Sequence, residues 1–124
     1  MKLLLDTHIF LWAIADPGRL SATQRREIED PINTVYLSSV SVSELAIKAS
    51  LGKLSFDFDL LAIAEKSGFE LLDFSASDAL LLKDLPFHHR DPFDRMLIVQ
   101  AQARDLFIAT QDPTLALYAC RLLR

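Results

Sequence analysis

Short apolar or β-branched runs alternate with helical stretches along the whole chain, and this alternation leaves few folds open. Lys2–Asp6 is an apolar run that ends on a carboxylate and reads as a buried strand. Thr7–Ala15 reads as a helix, stopped by Asp16-Pro17-Gly18. Ser21-x-x-Gln24 has the pattern of a capping box, opening a charged helix that Pro31 closes. Thr34–Leu37 is strand-like. Ser41-x-x-Glu44 predicts a second capping box, with a helix running to Gly52. A helix fits Phe58–Ser67, closed by Gly68, and Phe69–Phe74 reads as a third strand. Ser75–Leu85 reads as helical up to Pro86, and Pro92–Asp105 as a longer helix. Leu106–Thr110 is a fourth strand, Asp112-Pro113 starts a short helix, and Cys120–Leu123 is a candidate fifth strand. Strands and helices at this spacing build βαβ units, so the expected class is α/β with a parallel sheet covered on both faces. With 124 residues the chain is expected to form one domain, 1–124.

Charge narrows the function. Thirteen Lys and Arg against 17 Asp and Glu give a net −4. That excludes affinity for nucleic acid resting on a broad basic surface, which needs many cations to neutralise phosphates. It leaves room for a protein that meets phosphates through metal ions. Cys120 is the only cysteine, so an intrachain disulfide and a multi-cysteine zinc site are both excluded. Asp6 and His8 interrupt the apolar N-terminal stretch, which therefore does not make a signal peptide. No window approaches 18 uninterrupted apolar residues. The expectation is a soluble, cytoplasmic protein with no membrane partner.

Parallel sheets bind ligands outside the carboxyl ends of their strands. The first and fourth strands end near Asp6 and Asp112, and helices on the same rim carry Glu44, Asp91 and Asp94. Each acid has a local structural use. Asp6 can cap a helix, as can Asp91 and Asp112, each of which is followed by a proline at the favoured first position. Glu44 fits the third position of a capping box, or an i,i+4 pair with Lys48. Asp94 suits the first turn of a helix, where the dipole favours negative charge. As a set, however, several carboxylates on one rim repel one another and raise each other's pKa. A hard divalent ion such as Mg²⁺ or Mn²⁺ relieves that repulsion through oxygen ligands. Two such ions suit in-line attack of water on a phosphodiester.

Met1-Lys-Leu-Leu-Leu-Asp6-Thr7-His8, Ser41-Val-Ser-Glu44-Leu-Ala-Ile-Lys48, His88-His-Arg90-Asp91-Pro92-Phe93-Asp94-Arg95-Met-Leu and Ala109-Thr110-Gln-Asp112 together resemble a PIN domain. The likeness spans essentially the whole chain and is nearest to the VapC-like ribonuclease toxins of toxin–antitoxin pairs. It implies a parallel α/β/α sandwich and a metal-dependent endoribonuclease, using Mg²⁺ or Mn²⁺. The family's acidic set maps onto Asp6, Glu44, Asp94 and Asp112, with Asp91 either a further metal ligand or the N-cap. On this reading Asp6, Glu44 and Asp94 hold the ion directly, while Asp112 holds a second ion or orients the attacking water. Thr110 matches the family's polar residue two positions before the last acid and is a supporting hydrogen-bond partner. Cleavage would leave a 5′-phosphate and a 3′-hydroxyl. The resemblance also implies a homodimer and a small antitoxin whose C-terminal segment covers the acidic groove.

Lys48, Arg90 and Arg95 flank the acids, either contacting RNA phosphates or pairing with those carboxylates. His88 and His89 read as a solvated loop before a helix, and His8 as a helix-face residue. Phe10, Leu11 and Trp12 are too closely spaced to share one face, so they predict burial on several sides, in the core or at a subunit interface. Two rival readings remain. A receiver domain would need an adjacent acidic pair after the first strand and a lysine ending the fifth, whereas Asp6 is followed by Thr7 and no lysine follows Lys83. A catalytically inactive PIN-like binding module would be expected to lack one or more of the acids.

Overall fold

Leu3, Leu4 and Leu5 are all fully buried, although neighbouring strand side chains point to opposite faces of a sheet. A strand buries three in succession only where both faces are covered, and the computed structural model, which describes residues 1–124, has that construction. On one face Leu3 and Leu5 pack with Ile9 and Phe10 of α1 (Thr7–Ala15), Leu45 of α3 (Ser39–Ser50) and Ala64 of α4 (Leu60–Lys66). On the other, Leu4 packs with Leu97 and Ile98 of α6 (Pro92–Arg104). The fold is thus a three-layer α/β/α sandwich.

Its sheet has five strands: β1 (Lys2–Leu5), β2 (Thr34–Ser38), β3 (Glu70–Leu72), β4 (Phe107–Ala109) and β5 (Arg121–Leu123). They lie in the order β3-β2-β1-β4-β5, and every neighbouring pair is parallel. The chain moves outward from β1 to β3, then crosses back to the other side of β1 to lay down β4. That reversal opens a crevice at the carboxyl ends of β1 and β4, where such sheets bind ligands. Leu5 is in register with Ala109, so Asp6 and Thr110 emerge side by side. The Asp6 amide also donates to Ala109 O at 3.1 Å.

The predicted order of elements matches the observed one, with differences in extent. α2 (Ala22–Glu29) carries the expected capping box of Ser21 and Gln24. Gly68 has φ +81, the left-handed conformation that ends α4. The predicted capping box of Ser41 and Glu44 does not form. Ser38, the last residue of β2, caps α3 through the Val40 amide at 3.0 Å, so the helix starts at Ser39. Glu44 is then mid-helix, and its carboxylate is held by Thr7 and Lys48 instead of a helix-end amide. The helix predicted over Ser75–Leu85 is only α5 (Ala76–Leu80), followed by a 3₁₀ turn over Leu81–Asp84. Leu85 precedes Pro86 and is extended (ψ 128), as a residue before proline prefers. The short helix after Asp112 is likewise a 3₁₀ turn, Pro113–Leu117, and a further 3₁₀ turn, Pro17–Arg19, follows α1.

Gln24 fixes the crevice from behind. It is fully buried, and its Nε2 donates to Thr110 O at 2.9 Å and Leu123 O at 3.0 Å, joining α2 to the ends of β4 and β5. Gln24→Leu keeps the volume but strands Thr110 O, since Leu123 O still accepts the Thr110 amide at 3.2 Å, at about 1–3 kcal/mol for a buried unsatisfied group. Urea denaturation is expected to show a loss in that range; an unchanged midpoint would contradict the role.

Candidate active site

Capping and site chemistry prove compatible. Asp6 follows β1 and caps α1, its Oδ1 accepting the Ile9 amide at 2.8 Å. Asp91 caps α6, its Oδ1 accepting the Phe93 amide at 2.9 Å, with Pro92 at the first helical position. Asp112 caps the turn Pro113–Leu117, its Oδ1 accepting the Thr114 amide at 2.9 Å. Each acid thereby has its rotamer fixed by a helix start that points at the same crevice. Asp94 sits in the first turn of α6. Glu44 is 4% exposed, with Thr7 Oγ1 donating to its Oε1 and Lys48 Nζ to its Oε2, both at 2.7 Å. Thr7 Oγ1 also lies 3.1 Å from Ser41 Oγ, which is how that buried serine is used.

All five acids line one cavity of about 220 Å³, with Thr7, His8, Lys48 and His89; no apolar side chain contributes. Burial, together with the charges of Asp91, Asp6 and Glu44, pushes the Asp94 carboxyl up to about 7, although His89 opposes it. Burial also raises Asp6, against hydrogen bonds from Thr110 and the Ile9 amide that favour its ionised form. At Asp112 burial acts upward too, but the Thr114 amide and His89 outweigh it and hold the carboxyl below its usual value. Carboxylates this close, one of them keeping its proton to near neutrality, form a set that a divalent cation would stabilise. The donors are hard oxygens, which fit Mg²⁺ or Mn²⁺.

His89 is the residue that sequence reasoning missed. Rather than lying in a solvated loop, its ring enters the acid cluster, with Nε2 2.8 Å from Asp112 Oδ2 and 3.1 Å from Asp94 Oδ2. Ligand-type atoms of these three residues lie within 4.8 Å of one another. The Asp91 amide donates to His89 Nδ1 at 3.1 Å. A nitrogen that accepts carries no proton, so the neutral ring is protonated on Nε2 and donates to the two carboxylates. In this geometry His89 ties Asp94 to Asp112 and is not a metal ligand. Tyr118 sets its place: its Oη accepts the amides of His88 at 3.0 Å and His89 at 2.8 Å. The only sequence signal was adjacency to Arg90-Asp91, which does not show which way a loop ring points.

Among the cations, Arg95 departs from expectation. It is 6% exposed, donates to Leu85 O, Pro86 O and Tyr118 Oη, and its guanidinium lies 4.0 Å from the centre of the Phe87 ring. It holds the loop that delivers His89 and is not presented to RNA, because α6 turns that helical position inward. Lys48 is paired with Glu44, which raises its pKa. Arg90 is exposed and takes part in none of the ion pairs. Thr110 is fully buried, and its Oγ1 accepts the Asp112 amide at 3.0 Å. No helix is long and apolar enough to cross a membrane.

The PIN domain family model matches residues 3–119, and the chain belongs to that family. Solved structures share the fold. VapBC2 from Rickettsia felis, bound to a DNA fragment from its promoter, superposes with a TM-score of 0.75 at 19% identity, covering 99% of this chain and 98% of that one. DNA-bound VapBC from Salmonella typhimurium gives 0.71 at 20% identity, covering 99% and 97%. FitAcB from Neisseria gonorrhoeae gives 0.61 at 19%, covering 98% and 96%. No curated protein matches in sequence.

Proposed function

We propose that this chain is a metal-dependent endoribonuclease acting as the toxin of a toxin–antitoxin pair, with 1–124 forming a single PIN domain. The observation that carries the reading is the convergence of carboxylates from β1, α3, α6 and the end of β4 on one polar cavity. Asp6, Glu44 and Asp94 would hold Mg²⁺ or Mn²⁺, with Asp112 on a second ion or on the attacking water. When bound, the ion supplies Lewis-acid activation of water and neutralises charge on the phosphodiester. The chain's own residues do the positioning. Thr7 and Lys48 hold both oxygens of Glu44, and His89 holds Asp94 against Asp112. Asp91 caps α6 and adds negative charge beside Asp94.

An antitoxin partner is supported by the likeness to the VapBC and FitAcB structures. A cytoplasmic homodimer goes with the same reading. A covering segment with Arg or Lys would find the acids it needs in this cavity.

The direct test is cleavage of single-stranded RNA by the purified protein with Mg²⁺ or Mn²⁺ and with EDTA. Cutting that EDTA abolishes is expected; cutting that survives EDTA, or none in either ion, would overturn the reading. Arg90, being free, is expected to meet a phosphate. Arg90→Ser should weaken RNA binding and reduce the slope of log K against log salt by about 0.7, the value for one single-strand phosphate contact. An unchanged slope would remove Arg90 from the interface.

A further inference from the structure

A second depression, of about 340 Å³, adjoins the acid cavity and shares Asp6, His8 and Asp112 with it. Its remaining lining is Ile9, Trp12 and Gln111. Its character differs from that of the acid cavity, because an indole forms part of the wall. His8 and Trp12 are four residues apart on α1, so they share a face, and their ring centres are 6.2 Å apart at 41°. Trp12 is half-buried against the core, and the Arg19 guanidinium lies 4.7 Å from its ring centre. The indole is thus held in place while still facing the depression.

Gln111 adds an oriented polar group. Gln24 Nε2 is committed to two backbone carbonyls, which makes Gln24 Oε1 an acceptor. Gln111 Nε2 donates to that oxygen at 3.3 Å and to Arg19 O at 3.2 Å. The Gln111 amide is therefore fixed in one sense, and Oε1 is the atom left to receive a donor. Of the other polar groups lining the depression, the Asp6 and Asp112 carboxylates face the acid cavity as well, so Gln111 Oε1 is the acceptor that belongs to the depression alone, beside the Trp12 N–H and the His8 ring.

We propose that this depression is a nucleobase subsite. It takes the base of the nucleotide whose phosphate meets the acid cluster, stacked on Trp12 with a donor edge toward Gln111. The assignment rests on the nuclease reading for the identity of the neighbouring phosphate. Base–aromatic stacking tolerates every base, because each has a π-face. Gln111 Oε1 then favours a base with an exocyclic amine (adenine, cytosine or guanine) over uracil, whose one N–H lies between two carbonyls.

Trp12 is the only tryptophan of the chain, so its fluorescence reports the subsite directly. Wild-type protein with Mg²⁺ is titrated with AMP, CMP, UMP and inorganic phosphate, with correction for absorption by the bases. Saturable quenching at up to millimolar concentration is expected with AMP and CMP, about fivefold or more weaker with UMP, and none with phosphate alone. Gln111→Ala is expected to abolish the difference between CMP and UMP while retaining quenching. Kinetics on single-stranded RNA supply the second measurement: Trp12→Phe should retain most of kcat/KM, and Trp12→Leu should lose about fivefold or more, mainly through KM.

Absence of saturable quenching by any nucleotide, in a protein that cleaves RNA, overturns the subsite and leaves the nuclease reading standing. Nucleotide quenching in a protein that cuts no RNA keeps the subsite and removes the nuclease reading. Quenching only by a small protein encoded alongside, and not by nucleotides, assigns the depression to protein docking and also overturns the proposal.

Discussion

Asp94→Asn is expected to stop RNA cleavage and, in the metal-free protein, to raise stability at and above neutral pH. Both effects come from one carboxyl. Losing a charged metal ligand should lower the rate by roughly 10²–10³-fold or more, the size of effect seen when one electrostatic stabiliser of a transition state is removed. The stability gain follows from linkage. The folded carboxyl titrates near 7 against 3.8 for the free group, so between these values the folded state binds a proton that the unfolded state has released. The contribution of Asp94 to stability is therefore highest below about pH 4, falls as pH rises to 7, and stays reduced above it. The full penalty is at most about 4 kcal/mol, and asparagine, which never ionises, is free of it. Thermal melts of wild type and variant in EDTA at pH 5.5 and pH 8 measure it. The variant should gain more at pH 8; a loss at pH 8 would mean that the charge is already compensated by its neighbours.

Divalent ions should reproduce that stabilisation in the wild type and depend on pH in the opposite sense. At pH 8 the Asp94 carboxyl is ionised and ready to ligate, and binding to the folded state alone stabilises by about 2.7 kcal/mol at a hundredfold excess over Kd. For a chain of this size that is on the order of 10 °C in Tm. At pH 5.5 a carboxyl titrating near 7 is almost wholly protonated, so the ion must displace a proton, and affinity falls by about 30-fold. Titration of Mn²⁺ followed by thermal melts at both pH values tests this. Equal shifts at the two values would show that Asp94 is not among the groups that bind the ion.

The sequence made the strand and helix alternation legible because each strand is short and the first four lead within three residues to a helix cap: Asp6 after β1, Ser38 at the end of β2, Ser75 after β3 and Asp112 after β4. Asp6, Asp91 and Asp112 could be read as helix caps or as site residues, and the structure removes the choice. A carboxylate has two oxygens, and at Asp6 and Asp91 one is spent on a helix amide while the side chain still lines the cavity. Glu44 was less legible. Ser38 and Ser41 are both good caps, and only the end of β2 pairing at Ser38 decides between them. Starting the helix one residue beyond Ser38 turns Glu44 from its own N-terminus toward Thr7. His89 and Arg95 both depart from their expected roles for a tertiary reason. Tyr118, some thirty residues away in sequence, gathers the loop amides and the Arg95 guanidinium, swinging the imidazole in and the guanidinium under Phe87. No local pattern records a contact of that range.

Sequencing the 5′ ends of cellular RNA after induction of this protein, beside its Asp94→Asn variant, tests the central claim most directly. A nuclease built on these carboxylates predicts new 5′-phosphate ends, recurring at defined positions, with the wild type and not with the variant. The same ends appearing with both proteins, or no new ends with either, would contradict it.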